Sequence, residues 1–377
     1  MIISQINLKN YRNYDSVNLK LGKHINIIIG DNAQGKTNLL EAVYFMSITK
    51  SYRTSDDSNL IKNGKDFFKI CVKLKDDSIP IKLQILSSKK AKSLFYNDTS
   101  IKKVSKFIGL LNVIMMAPED INIIKGTPSE RRNFLNIELS KLSQNYINKY
   151  NEFNKILKMR NDYLKLLMTN SISDRRYFDI LTEKLIDKAA YIYIERKNFI
   201  DAINAQLSSI YKDISGLSGL KLIYSPNLEI DEFSFEKISE ILKKIYLKNY
   251  NKELSLGMTL YGPHRDDFSF LLNDDNIKFY GSQGQQKLAI IALKISLIKI
   301  FNDRLGNMPV LLLDDIFSEL DRKKKNKIIN YINNCGQVII TTNDIRDINR
   351  KKLENVAVFE VKNKKIIEKG DLNGKWK

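Results

Sequence analysis

The sequence predicts an α/β fold in which a mixed sheet with covering helices is joined to an antiparallel β lobe and interrupted by an inserted helical arm. Three observations carry this. The buried strand pattern INIIIG runs straight into a glycine-rich loop and a helix, and strand-like alternation fills most of the chain up to about residue 115. Residues 128–212 hold no glycine, and apolar side chains recur there at three- and four-residue steps. The expected division is an N-terminal half of the α/β part over 1–117, the arm over 118–253 and a C-terminal half over 254–377.

In chain order, IISQINL alternates as a strand and KTNLLEAVYFMSI carries apolar residues at helical spacing. FFKICVKLK and IPIKLQIL read as paired strands around a DDS turn. In the arm, Phe134, Leu135, Leu139, Leu142, Tyr146, Tyr150, Phe153, Ile156 and Leu157 form one stripe, read as core. SISD at 171–174 turns the chain between two long antiparallel helices. After Gly216 the structure is mixed again: KLIYSP as a strand, FEKISEILKKIYLKNY as a helix, then YGPHRDDFSFLL, the loop GSQG and a helix from Gln283 to Phe301. VLLLDD and QVIITTND are buried strands, followed by two weak strands near Val356 and Ile366.

Composition bounds the function. At 377 residues the chain exceeds what one core normally organises. Its formal net charge of +19 suits a polyanion, either nucleic acid or an anionic membrane surface, although biased composition alone gives the same excess. Cys71 and Cys335 are too few for a disulfide framework, and with only His24 and His264 a zinc site is not expected. The N-terminus lacks an apolar signal core and no uncharged apolar run of roughly 18 residues occurs, so a soluble cytoplasmic protein is expected.

The stretch GDNAQGKT fits G-x-x-x-x-G-K-[ST] between a buried strand and a helix, the context that gives this motif meaning. Gly30, Asp31, Asn32, Ala33, Gln34 and Gly35 wrap a phosphate with backbone N–H groups. Lys36 reaches the outer phosphates, and Thr37 offers an oxygen to magnesium. ATP and Mg²⁺ are the expected cofactors. Such a cradle needs a carboxylate at the tip of a neighbouring strand, and VLLLDD supplies Asp314 for magnesium, directly or through water. Asp315 is placed to orient or deprotonate an attacking water, so Asp315 and Lys36 are the catalytic candidates. In GSQGQQK a helix tip offers free N–H groups, a serine hydroxyl and little bulk. It reads as a second anion site or as a plain cap at Ser282.

GSQGQQK resembles the signature motif of the ABC-type ATPase superfamily, with Ser282, Gly284 and Gln285 matching and Gln283 standing where transporters have Gly. SELD at 318–321 resembles its D-loop. The resemblance implies an ATPase head in which the signature of one subunit closes over nucleotide held by the other, giving an isologous homodimer on ATP binding. LKNYRNY, SYRTSDDSNLI, APED with GTPSERRNFL, YGPHRDDF and LLLDDIFSELD narrow the match to the RecF family over nearly the whole chain. Membership implies slow, weak, DNA-stimulated ATP hydrolysis and sequence-independent binding of double-stranded DNA and ss/ds junctions at gaps. It also implies work with RecR and RecO in recombinational repair, away from membranes. Asp315 stands where many relatives carry Glu, and Thr342 and Asn343 stand where the superfamily has a switch histidine. Another ABC-type ATPase, a chromosome-organising or transporter subunit, is the alternative. For DNA phosphates the basic candidates are Arg12, Arg53, Lys89, Lys90 and Lys92.

Overall fold

The computed structural model describes residues 1–76, 79–169, 174–318, 320–348 and 352–371. Strands β1 (Ile2–Tyr11), β2 (Tyr14–Lys20) and β3 (Ile25–Ile29) lead to helix α1 (Lys36–Ile48). Strands β4 (Phe67–Asp76), β5 (Ile79–Ser88), β6 (Lys92–Tyr96) and β7 (Thr99–Ile101), helix α2 (Val104–Phe107) and β8 (Val113–Met116) follow. Next come α3 (Asn122–Lys125), α4 (Pro128–Leu142), α5 (Gln144–Met168), α6 (Arg176–Ser215), β9 (Leu220–Ser225), α7 (Phe235–Lys248) and α8 (Tyr250–Leu256). The chain continues with β10 (Asp267–Leu272), β11 (Asp275–Asn276), α9 (Ile277–Tyr280), α10 (Gln283–Leu305), β12 (Val310–Asp314), α11 (Arg322–Asn333), β13 (Val338–Thr342), β14 (Val356–Lys362) and β15 (Lys365–Asp371). The expected DDS and SISD turns fall largely outside the described residues. Among those described, no helix is long and apolar enough to cross a membrane.

Two compact units divide the chain: residues 1–121, 209–217 and 287–377 in one, 122–208 and 218–286 in the other. The first holds two six-stranded sheets. One is an antiparallel lobe in the order β2-β1-β4-β5-β6-β7, and β4 and β5 pair from Phe67↔Ser88 to Asp76↔Ile79. The other, β15-β14-β3-β13-β12-β8, is parallel except for β15. Its central strands β12 and β13 are buried at every residue, as unbroken apolar runs covered on both faces require. Gln337 ties the two sheets: its Oε1 accepts from the Ile3 N–H at 2.7 Å and its Nε2 donates to the Ile3 carbonyl at 2.8 Å.

The second unit is built on α5 and α6, whose side chains meet in antiparallel order, Asn145 with Tyr191, Glu152 with Lys188 and Arg160 with Thr182. The apolar stripe is core at Phe134, Leu135, Leu139, Tyr146 and Phe153, and half-buried at Leu142, Tyr150, Ile156 and Leu157. Arg160 and Glu253 are both fully buried; the guanidinium donates to the carboxylate at 2.7 Å and to Thr259 Oγ1 at 2.6 Å between the rings of Phe178 and Tyr246.

Several boundaries differ from expectation: residues 118–121 and 209–217 group with the first unit rather than with the arm. Residues 254–286 belong to the helical unit rather than to the C-terminal half of the head, because β10 pairs antiparallel with β9 from Asp267↔Ser225 to Leu272↔Leu220. That pairing spans some forty residues of chain and leaves no local signature. The helix from Gln283 runs on to Leu305, where Gly306 at φ 68° closes it.

Candidate functional site

The parallel register builds one end of the first unit. With β13 between β3 and β12, Ile29 aligns with Thr342 and Asp314 with Thr341, so the glycine-rich loop, both carboxylates and Asn343 emerge at the same sheet edge. Ligands of open α/β sheets bind at such carboxyl ends. Gly30 and Gly35 are sterically required: a Cβ on Gly30 would lie 2.6 Å from the Val361 carbonyl oxygen, and one on Gly35, at φ 114°, 2.7 Å from Asn13 Nδ2. Asn13 Nδ2 and the Tyr14 hydroxyl brace the loop from β2 and the turn before it, donating to the Gln34 and Gly35 carbonyls at 3.0 Å each. Ala33 adopts φ 63°, a left-handed residue inside the loop.

The N-terminus of α1, like those of α2 and α8, has no side-chain cap. Thr127, Ser143, Ser234 and Asp321 cap α4, α5, α7 and α11 with side-chain oxygens, whereas α1 starts at Gly35 with no side-chain cap and no acid in its first turn. Its first N–H groups therefore stay available to an anion. Lys36, 7 % exposed, folds back over the loop and donates to the Gly30 carbonyl at 2.7 Å, the Asp31 carbonyl at 2.9 Å and Asn343 Oδ1 at 2.8 Å. Burial lowers its pKa, while Asp315, Asp314 and Asp31 oppose that shift. Neutral acceptors hold this ammonium, so a phosphate oxygen can replace them with a net gain of charge pairing.

Asp314 Oδ1 accepts from Thr37 Oγ1 at 3.0 Å and from Thr341 Oγ1 at 2.6 Å. A carboxylate and a hydroxyl at this spacing are hard oxygen donors that fit Mg²⁺. Asp315 sits at φ 49°, outside the strand conformation, and Asn343 Nδ2 lies 3.5 Å from its Oδ2. Thr341 and Glu41 are functional neighbours the sequence reading passes over. A threonine in VIITT carries no local signal, but a glutamate inside the apolar run of α1 does: Glu41 is fully buried and takes both oxygens to Arg12, at 2.8 and 2.6 Å.

Three of the five basic candidates have partners within the chain. Arg12 is bound to Glu41 and to the Asn59 carbonyl; Arg53 donates to Asn38 Oδ1 at 3.1 Å and faces Glu41 at 3.8 Å. Lys92 pairs with Asp57, donates to the Thr49 carbonyl at 2.8 Å and covers Phe45. In this structure these three make contacts around the loop after α1, Arg12 the most fully. Lys89 and Lys90 remain exposed on the β5–β6 turn.

The GSQG loop belongs to the second unit. Ser282 and Gln285 form a reciprocal cap: the Ser282 N–H donates to Gln285 Oε1 at 2.7 Å and the Gln285 N–H to Ser282 Oγ at 3.2 Å. Gln286 Nε2 anchors the loop from below through the Ile277 and Gly281 carbonyls. Gly284 is exposed, and a Cβ there would meet only Ser282 Oγ, at 4.0 Å. In SELD, Ser318 Oγ donates to the Asp315 carbonyl and Asp321 caps α11, while Glu319 lies outside the described residues.

A P-loop at the end of a mostly parallel sheet, a strand-tip carboxylate and an inserted helical unit define an ABC-type ATPase head of the SMC kind. The fold matches an SMC head bound to the winged-helix domain of ScpA at a TM-score of 0.57 and 17 % identity over 99 % of this chain and 98 % of that one. The family model "RecF/RecN/SMC N terminal domain" matches residues 2–367. The DNA replication and repair protein RecF of Bacillus subtilis is 38 % identical over 98 % of this chain and all of that protein; its namesake from Geobacillus sp. is 37 % identical over 96 % and 97 %. The solved structure of the recombination mediator protein RecF with ATP, in the RecFOR pathway, superposes at a TM-score of 0.90, with 31 % identity and 97 % of both chains covered. The chain belongs to the RecF family of SMC-like ABC-type ATPases.

Proposed function

We propose that the chain is an ATP-binding protein of DNA replication and repair, a weak DNA-stimulated ATP hydrolase that forms a homodimer on ATP. In this reading it binds double-stranded DNA and ss/ds junctions at gaps without sequence preference and helps load recombinase with RecR and RecO. The observation that carries it is the strand-tip cluster, in which Lys36, Thr37 and Asp314 converge at the uncapped start of α1. Gly30 to Gly35 cradle the phosphates through backbone N–H groups, and Lys36 leaves its carbonyl partners for the outer phosphate oxygens. Thr37 and Asp314 would hold Mg²⁺, which would offset phosphate charge there. Asp315 positions a water for in-line attack, with a reach one methylene shorter than a glutamate would have.

Gly284 supports the composite site. It stands in the first turn of α10, and no contact among the described residues needs its missing Cβ. The N–H groups expected to be free at this tip are taken by the Ser282–Gln285 cap, so Ser282 and Gln285 would have to exchange those bonds for the γ-phosphate of nucleotide held by a second copy, while Gly284 leaves the approach clear. ATP then serves as a timer: the closed dimer grips DNA and hydrolysis at Asp315 releases it. Light scattering with and without ATP and gapped DNA tests this. Doubled mass with ATP is expected for the wild type, monomer that still binds ATP for Ser282→Arg, and a long-lived dimer for Asp315→Asn. ATP-dependent dimerisation of Ser282→Arg at wild-type strength would falsify the composite site.

A further inference from the structure

Two of the motifs singled out above, GTPSERRNFL and YGPHRDDF, take no part in the nucleotide site. Within the helical unit they meet at a cavity of about 400 Å³ lined by α4, Tyr150 of α5, Arg196 of α6 and the corner at Pro263 and His264. Ser129, Arg132, Asn133 and Asn136 reach it together because steps of three and four place them on one face of α4.

The two arginines there are not alike. Arg196 is fully committed: Nη1 donates to Asp266 Oδ2 and to the Pro263 carbonyl, both at 2.5 Å, and Nη2 to Asn136 Oδ1 at 2.7 Å. Arg132 donates from Nη1 to the Asp266 carbonyl at 2.7 Å, and its Nε and Nη2 hydrogens meet no acceptor among the described residues. No carboxylate among those residues pairs with it. The Tyr150 hydroxyl accepts from Asn136 Nδ2 at 2.9 Å and keeps its own hydrogen to give. Ser129 and Asn133 are exposed, and no other described side chain engages theirs. Glu130, also lining the cavity, has its Oε2 occupied by the Thr127 N–H and hydroxyl at the helix cap. Neighbouring His264 registers the positive field: burial first, then Arg265, Arg132 and Arg196, push its pKa down to about 4.

We propose that this cavity seats a phosphodiester of the DNA backbone, with Arg132 as the charged donor and Ser129, Asn133 and Tyr150 as neutral donors. Arg132 pairs with no described carboxylate and offers one positive charge to a monoanion, the Glu130 carboxylate of the lining being engaged at the Thr127 cap, and the volume leaves room for the flanking sugars. Contacts from these donors to phosphate oxygens would position the duplex without carrying sequence information. This deepens the DNA-binding reading and rests on it.

Fluorescence anisotropy of a labelled gapped duplex, titrated with the full chain over a series of salt concentrations, tests the seat. The wild type is expected to bind with a steep salt slope. Arg132→Gln should bind about tenfold more weakly, with the slope of log K against log salt smaller by about 0.9. Asn133→Asp, at a side chain no other described group engages, should weaken binding through repulsion while leaving the urea midpoint and ATP binding unchanged. Arg132→Lys should restore the slope. Wild-type affinity and slope in both Arg132→Gln and Asn133→Asp overturn the seat. Displacement of DNA by AMP in the wild type but not in Arg132→Gln also overturns it, in favour of a free nucleotide. A wild type that binds no DNA at any salt sinks the broader reading instead, a result distinct from either.

Discussion

Both units bury charge, but they neutralise it differently. At the head of α1, Lys36 lies over two backbone carbonyls and an amide oxygen, with the carboxylates of Asp314 and Asp315 near but not bonded to it. In the helical unit, Arg160 and Arg196 are each locked to a fully buried carboxylate, on Glu253 and Asp266, with neutral groups taking further donors. The first arrangement is replaceable, because its neutral acceptors can be exchanged for an anion. The second is permanent, because a buried charge that loses its counter-charge has nowhere to find water. Ligand sites and scaffolds use the same chemistry and differ in whether the counter-charge is supplied within the chain.

The sharpest way to break this contrast is to remove one partner of a permanent pair. Arg160→Met should cost about 3–5 kcal/mol in urea unfolding, and adding Glu253→Leu should recover much of it. If the single variant unfolds at the wild-type midpoint, the pair is not permanent in the sense meant here.

A smaller effect comes from His264, whose folded pKa lies near 4 against an ordinary 6.5. The unfolded chain takes up a proton below 6.5 that the folded chain refuses, so stability is complete above that pH and declines as pH falls toward 4. The loss should be on the order of 2–3 kcal/mol. Unfolding midpoints for the wild type and His264→Gln, compared at pH 7 and pH 4.5, isolate it; parallel losses in the two proteins would remove His264 as the cause.

The smallest stability effect belongs to Lys36→Ala, under about 1 kcal/mol, because the lost hydrogen bonds are offset by relief of a buried ammonium. The same variant should lose all thermal stabilisation by ATP with Mg²⁺, which the wild type shows in proportion to ligand concentration. A large intrinsic destabilisation with ATP binding retained would place Lys36 with the scaffold arginines instead.

Much of the nucleotide end was legible locally. INIIIG, the glycine loop and α1 are consecutive in the chain, and the strand before Asp314 is an unbroken apolar run, so each carries its own pattern. The basic residues were not legible in this way. Arg12 looks like any exposed arginine until the fold delivers Glu41 from twenty-nine positions further on. The arm's long helices announce themselves by spacing, but where the unit ends depends on the β9–β10 pairing, which brings 220–225 against 267–272.

By itself, then, the amino-acid order determined what rests on neighbours along the chain: the phosphate loop with its helix, the apolar strand bearing Asp314, the heptad-like stripe and the capped serine of GSQG. Tertiary structure alone decided which charges are spent and which are open. Thr341 reaches Asp314, Asn343 reaches Lys36, Arg196 closes on Asp266, and Arg132 has Nε and Nη2 without an acceptor among the described residues. The reason is that a side chain's partner is set by distance in space, and the parallel register and helix packing that create those distances join residues up to hundreds of positions apart.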